Sequence, residues 1–189
     1  MSNAVNNVQV REATSGDIPS LLSLLAKYHT NTISDHERDQ GFVTTNINAE
    51  QLASLIADER GVIVSSDADG RVVGFIIAGS WQFLSRWPMF EYMAGELDKY
   101  QVGGLTLNVD NSYQYGPICV DSAWRGLGLA EAMIDAHCAI FRQKYKVLVT
   151  FVNEINPRSM HFHLNKVGLA SAGGFSFNNN QYQMLVRTL

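Results

Sequence analysis

Ile118-Cys119-Val120-Asp121-Ser122-Ala123-Trp124-Arg125-Gly126-Leu127-Gly128-Leu129-Ala130 is the stretch on which the reading of this chain turns. Tyr113 to Val120 has the composition of a strand, Asp121-Ser122 and the two glycines end it, and a helix is expected from Gly128 to about Tyr145, with Leu129, Met133, Ile134 and Ile140 on its buried side. Such a junction can hold an anion. Glycines admit close approach to backbone N–H groups, the first turn of a helix has N–H groups without helical partners, and the helix dipole favours negative charge there. Arg125 adds a fixed positive charge suited to phosphate. The spacing is not G-x-x-x-x-G-K-[ST], and neither a third glycine nor an acidic residue near position 148 completes a dinucleotide fingerprint.

Working outward, Val8, Val10 and Ala13 begin a strand that Ser15-Gly16-Asp17 stops. Ile18, Leu21, Leu22 and Leu25 then recur at helical spacing, with Pro19 tolerated in the first turn. Asn48 and Gln51 have the spacing of a capping box before Leu52, Leu55 and Ile56. Val62-Ile63-Val64, the turn formers Asp67 to Gly70, and Val72 to Ile77 predict an antiparallel hairpin.

Downstream, Val147 to Val152 is a β-branched strand run. Asn156 is placed as an N-cap, Pro157 at the first helical position, and Gly168 where a helix ends. Ser171 to Phe177 and Tyr182 to Val186 flank an Asn178-Asn179-Asn180 turn. Residues 80–112 read as an insertion, too rich in aromatics (Trp81, Phe83, Trp87, Phe90, Tyr92) for a free linker. No repeat or low-complexity linker marks a boundary, so the expectation is one α/β domain over residues 1–189.

With the element order in place, Arg125-Gly126-Leu127-Gly128-Leu129-Ala130 resembles the [Q/R]-x-x-G-x-[G/A] pyrophosphate motif of the GNAT superfamily of N-acetyltransferases. Asn156-Pro157-Arg158-Ser159-Met160-His161-Phe162-His163, followed by Lys166-Val167-Gly168-Leu169, is similar to that family's N-x-x-[A/S] segment. The resemblance covers nearly the whole chain except the insertion. It implies a mixed, mostly antiparallel sheet splayed in the middle, with helices on both faces, that binds acetyl-CoA. The backbone of Ile118, Cys119 and Val120 would pair with the pantetheine, Arg125 to Ala130 would hold the pyrophosphate, and Asn156, Ser159 and Phe162 would line the pantetheine arm.

The implied reaction is direct attack of a primary amine on the thioester. Where many relatives carry a tyrosine that protonates the leaving thiolate, this chain has His163, which can donate if its ring is protonated. Tyr182 is a second donor. Glu91, with Glu96 and Asp98, is the candidate base because it lies in the insertion. The rival readings are a non-catalytic acyl-CoA sensor and an interaction module with the same fold.

Composition bounds the rest. A net charge of −4 over 189 residues opposes nucleic-acid binding. No apolar run approaches the about 20 residues needed to span a bilayer, and the polar start Ser2 to Asn7 lacks signal-peptide regions, so a cytoplasmic location without membrane attachment is expected. Cys119 and Cys138 have no pairing or metal-ligand spacing, and His161 and His163, two apart in a helix, face different directions. Reduced thiols and no metal follow. The insertion makes a homodimer reasonable.

Overall fold

The computed structural model describes residues 8–38 and 41–189. The polar start at Ser2 to Asn7 lies outside them. In chain order the elements are β1 (Gln9–Glu12), α1 (Ile18–Tyr28), α2 (Asp35–Arg38), α3 (Ala49–Ser54), β2 (Val62–Ser66), β3 (Val72–Gly79), α4 (Trp81–Leu84), α5 (Pro88–Glu96), β4 (Gln101–Val102), β5 (Leu105–Thr106), β6 (Ser112–Val120), α6 (Leu129–Phe141), β7 (Val147–Asn153), α7 (Pro157–His161), β8 (Ala170–Phe177) and β9 (Asn180–Thr188).

Strands hydrogen-bond in the order β1-β2-β3-β6-β7-β9-β8, and β4 and β5 form a separate hairpin. β6 and β7 run parallel; β1/β2, β2/β3, β7/β9 and β8/β9 are antiparallel. This is the mixed, mostly antiparallel sheet expected. The β6–β7 register runs only from Ser112↔Val147 to Gln114↔Val149, whereas β7 and β9 pair from Val147↔Thr188 to Asn153↔Tyr182. Beyond Gln114, β6 carries Pro117, which has no N–H to give a ladder.

Contacts group the chain into two units. The first comprises the described residues up to Ala78 together with Gly116–Ile140. Its β2 and β3 are buried along their whole length, as continuous apolar strands covered on both faces should be. Asp67 closes their turn, its Oδ1 accepting from the backbone N–H of Asp69 and of Arg71, while Gly70 takes a φ of 78°. α1 buries Leu21, Leu24, Leu25 and Tyr28, whereas Leu22 is only half-buried: the inward stripe is rotated slightly from the expected one. At α3 the capping box forms as read, with Asn48 Oδ1 accepting from Gln51 N–H at 2.9 Å and Gln51 Oε1 from Asn48 N–H at 2.9 Å.

The second unit comprises Gly79–Tyr115 and Phe141–Leu189. The insertion is a folded part of it. Ser80 caps α4 by accepting from Phe83 N–H, and Trp81, Met93 and Leu97 are at most 1% exposed in a cluster with Leu107, Val147, Val149, Met184 and Val186. At about 1.5–3 kcal/mol for each large apolar side chain buried, these anchors offset much of the cost of ordering the segment at those positions. Trp81 Nε1–H donates to Ser112 Oγ at 3.0 Å, and Ser112 donates to the Asn108 carbonyl at 2.7 Å. β8 and β9 join through Asn178 and Asn179, with φ of 46° and 61°, the left-handed pair that a two-residue hairpin turn demands.

Candidate active site

In the first unit, β6 ends at Val120 and the chain passes through a short 3-10 turn, Ser122–Trp124, before α6. Asp121 starts that turn, its Oδ1 accepting from Ala123 N–H at 3.2 Å. Gly126 and Gly128 follow, both exposed and both left-handed, with φ of 77° and 75°. A Cβ on either would meet no atom within 4 Å, so conformation rather than crowding selects glycine, and the space above the loop is open. The first bond into α6 runs from Ala132 N–H to the Gly128 carbonyl at 3.0 Å, so the amides of the preceding turn have no partner within the helix.

Two residues of α1 brace this loop, 94 positions away in sequence. Tyr28 Oη accepts from Ser122 N–H at 2.8 Å, and Lys27 Nζ pairs with Asp121 Oδ2 at 2.8 Å. Burial alone would raise the Asp121 carboxyl, but Lys27 and the Ala123 amide outweigh it and hold it below its ordinary value. Arg125 folds against the same support, its Nε donating to the Val120 carbonyl at 2.9 Å and its guanidinium lying 5.2 Å from the centre of the Tyr28 ring. The guanidinium is therefore oriented by its own strand. Ile118 and Val120 are half-buried and Cys119 is buried, with its thiol pushed up to about 12 by burial. That thiol stays protonated and is no nucleophile.

The second unit carries the other residues. Asn156 caps α7, its Oδ1 accepting from Ser159 N–H at 3.1 Å. Past His161 the helix widens into a π turn, Phe162–Lys166, closed by Val167 N–H to the Phe162 carbonyl at 3.1 Å. Such turns recur at functional positions. His163 sits in it at 4% exposure. Its Nδ1–H donates to the Ser159 carbonyl at 2.7 Å, its ring lies 5.6 Å from that of Tyr115, and its Nε2 is buried without a hydrogen-bond partner. Burial pushes its pKa below the ordinary imidazole value, and the Ser159 bond only partly offsets this. The protonated ring that a donor role presupposes is thus disfavoured in the free protein.

Tyr182 is paired with Asn153 across β7 and β9 and stacks on Phe175 with ring centres 5.3 Å apart. Burial raises its hydroxyl, while Asn153 lowers it in part, so it is protonated at neutral pH. Glu91 is exposed on α5, and its neighbour Tyr92 places its ring 5.4 Å from Phe177. Glu96 pairs with Lys99, and Asp98 is exposed. Asn156, Ser159, Phe162 and His163 thus lie along about two consecutive turns of helix, whereas no described contact links Glu91 to His163 or Tyr182. Tyr28, Lys27 and the Ser159 carbonyl were not singled out in sequence; only a tertiary contact reveals the first two.

The glycine-bearing loop between β6 and α6 is followed in the chain by β7 and the Asn-capped α7. The chain belongs to the acetyltransferase (GNAT) family, whose pattern it matches over residues 18–169. Among solved structures, an N-acetyltransferase from Staphylococcus aureus Mu50 is 18% identical, with 96% of this chain and 98% of that one covered and a TM-score of 0.62. The yncA protein of Salmonella typhimurium, solved with its cofactor acetyl-CoA, is 15% identical, with 96% and 94% covered and a TM-score of 0.60. The YhbS protein of Escherichia coli, solved with CoA, is 17% identical, with 96% and 81% covered and a TM-score of 0.58. At these identities the likeness shows the fold. Among curated protein sequences none matches. Among the described residues no helix is long and apolar enough to cross a membrane.

Proposed function

We propose that the protein is a cytoplasmic N-acetyltransferase that moves the acetyl group of acetyl-CoA onto a primary amine by direct attack. The observation that carries this reading is the Arg125 to Ala130 loop: two left-handed, exposed glycines at the head of a 13-residue helix, with open space above them and a bracing tyrosine and lysine beneath. An anion of pyrophosphate size is what such a loop fits. Family membership and the acetyl-CoA and CoA found in the yncA and YhbS structures support the same ligand.

In this reading the loop amides and Arg125 take the pyrophosphate, Ile118, Cys119 and Val120 offer backbone groups to the pantetheine, and Asn156 Nδ2–H donates to a pantetheine carbonyl while its Oδ1 keeps the cap. Ser159 and Phe162 line that arm. Acetyl-CoA supplies an activated thioester; the chain supplies orientation and, for a neutral amine, proton handling, which falls first to His163, with Tyr182 the second donor and Glu91 the candidate base.

The test is a calorimetric titration with acetyl-CoA of the wild type and of the Arg125→Glu, Gly128→Asp double variant, each checked for folding. Micromolar binding lost in the variant is expected. Absence of binding to the folded wild type overturns the proposal in favour of an interaction module, and binding without turnover on a broad amine panel favours a sensor.

A further inference from the structure

Among the described residues of the second unit, His163 Nε2 is a buried ring nitrogen without a hydrogen-bond partner. The ring is fixed from one side: Nδ1 lies 2.7 Å from the Ser159 carbonyl, which can only accept, so Nδ1 bears the hydrogen and Nε2 carries a lone pair. Ser159 Oγ, 3.3 Å from the same Nδ1, does not alter that choice because the shorter carbonyl contact requires the hydrogen. A buried acceptor without a donor is unfavourable, and that cost is removed when a ligand brings the donor. The π turn that holds the ring, Phe162–Lys166, is the local irregularity that sets it.

Resting on the acetyltransferase reading, we infer that His163 is a proton carrier that starts neutral and accepts through Nε2, rather than a standing acid as a tyrosine would be at that position. The balance closes on one residue. The amine nitrogen bonds to the thioester carbonyl carbon and the carbon–sulfur bond breaks; the proton lost by nitrogen goes to Nε2, and from Nε2 to the departing sulfur, giving amide and thiol with His163 neutral again. No separate carboxylate is required, in keeping with the absence of any described contact between Glu91 and the ring. The groups set against His163 are Ser159 from α7, the Phe162 ring at 5.1 Å and the Tyr115 ring from β6 at 5.6 Å. Of these, Ser159 and Phe162 bear no titratable group, and Tyr115 presents its ring. Burial lowers the imidazole, and no charged side chain contributes to that shift.

The experiment is nitrogen-15 NMR of the histidine rings in the wild-type protein, with His163 assigned through its proximity to Tyr115, recorded alone and with CoA, beside calorimetry on the same sample. The expected result is a ring protonated on Nδ1 and bare on Nε2 at pH 7, staying neutral below the ordinary imidazole value near 6.5, with the Nε2 resonance moving when CoA binds. His163→Gln should bind acetyl-CoA within about threefold of wild type yet lose at least tenfold in turnover, together with the acidic limb of the pH profile. A proton on Nε2, or an unmoved Nε2 resonance despite calorimetric binding, overturns the carrier role alone. Failure of CoA to bind overturns the acetyltransferase reading and the carrier role with it.

Discussion

Asp17 should carry a stability contribution that can be read by pH. Its carboxylate accepts from Arg11 Nη1 and Nη2 at 2.8 and 2.9 Å, from Thr14 N–H at 2.8 Å and from Thr14 Oγ1 at 3.1 Å. The Arg11 bond foremost, with the Thr14 amide, lowers its pKa from 3.8 to about 2. At 1.36 kcal/mol per pH unit that is about 2.4 kcal/mol; Arg11 is 30% exposed, and screening on that side reduces the expectation to about 1–2 kcal/mol. Because the folded value is depressed, this stability is fully present above the unfolded value near 4 and disappears as pH falls through about 2. Asp17→Asn should therefore lose about 1–2 kcal/mol at pH 7, and the gap from wild type should shrink to a few tenths of a kcal/mol at pH 2. Urea unfolding at pH 7, 4, 3 and 2 measures both. Equal losses at pH 7 and pH 2, or none at pH 7, would refute the argument. Asp17 heads α1, whose other end supplies Lys27 and Tyr28 to Asp121 and Ser122; if the proposed cofactor site is right, acetyl-CoA at saturation should raise the stability of the variant.

Further expectations separate conformation, capping and chemistry. Gly128→Ala meets no atom and pays only for φ of 75°, about 1–2 kcal/mol, whereas Gly61→Ala would set a Cβ 1.9 Å from the Ala78 carbonyl oxygen and should abolish folding, as circular dichroism of the two variants will show. Asn156→Asp keeps the acceptor that caps α7 and lacks the Nδ2–H group, so thermal stability should hold while acetyl-CoA affinity falls about tenfold; Asn156→Ala should lose about 1 kcal/mol of stability as well. Cys119, with its thiol near 12, should resist iodoacetamide at pH 8 in the folded protein and react after unfolding, and Cys119→Ala should retain turnover.

The features that were legible in sequence are those settled within about four residues. The Asn48–Gln51 box, the Asn156 cap with Pro157 and the turn expected at Asn178-Asn179-Asn180, which forms at Asn178 and Asn179 with Asn180 opening β9, each form because a side chain or a left-handed residue satisfies its own neighbourhood. Where tertiary contacts compete, the local pattern misleads. α6 was expected to reach Tyr145 but ends at Phe141, because Tyr145 turns to put its ring 5.6 Å from Tyr113, beside the Phe141–Tyr113 stack at 4.3 Å. The same competition hides the support of the Asp121–Gly128 loop. Tyr28 and Lys27 stand on α1 like any other amphipathic-helix residues, and nothing within their own turn ties them to Ser122 or Asp121. At position 163 the residue type is plain in sequence, but its proton chemistry is not, since that depends on a backbone carbonyl four residues back that removes one nitrogen from use and leaves the other as an acceptor. A motif match identifies which group stands at a reacting position; only the bond on its far side decides whether that group gives a proton or takes one.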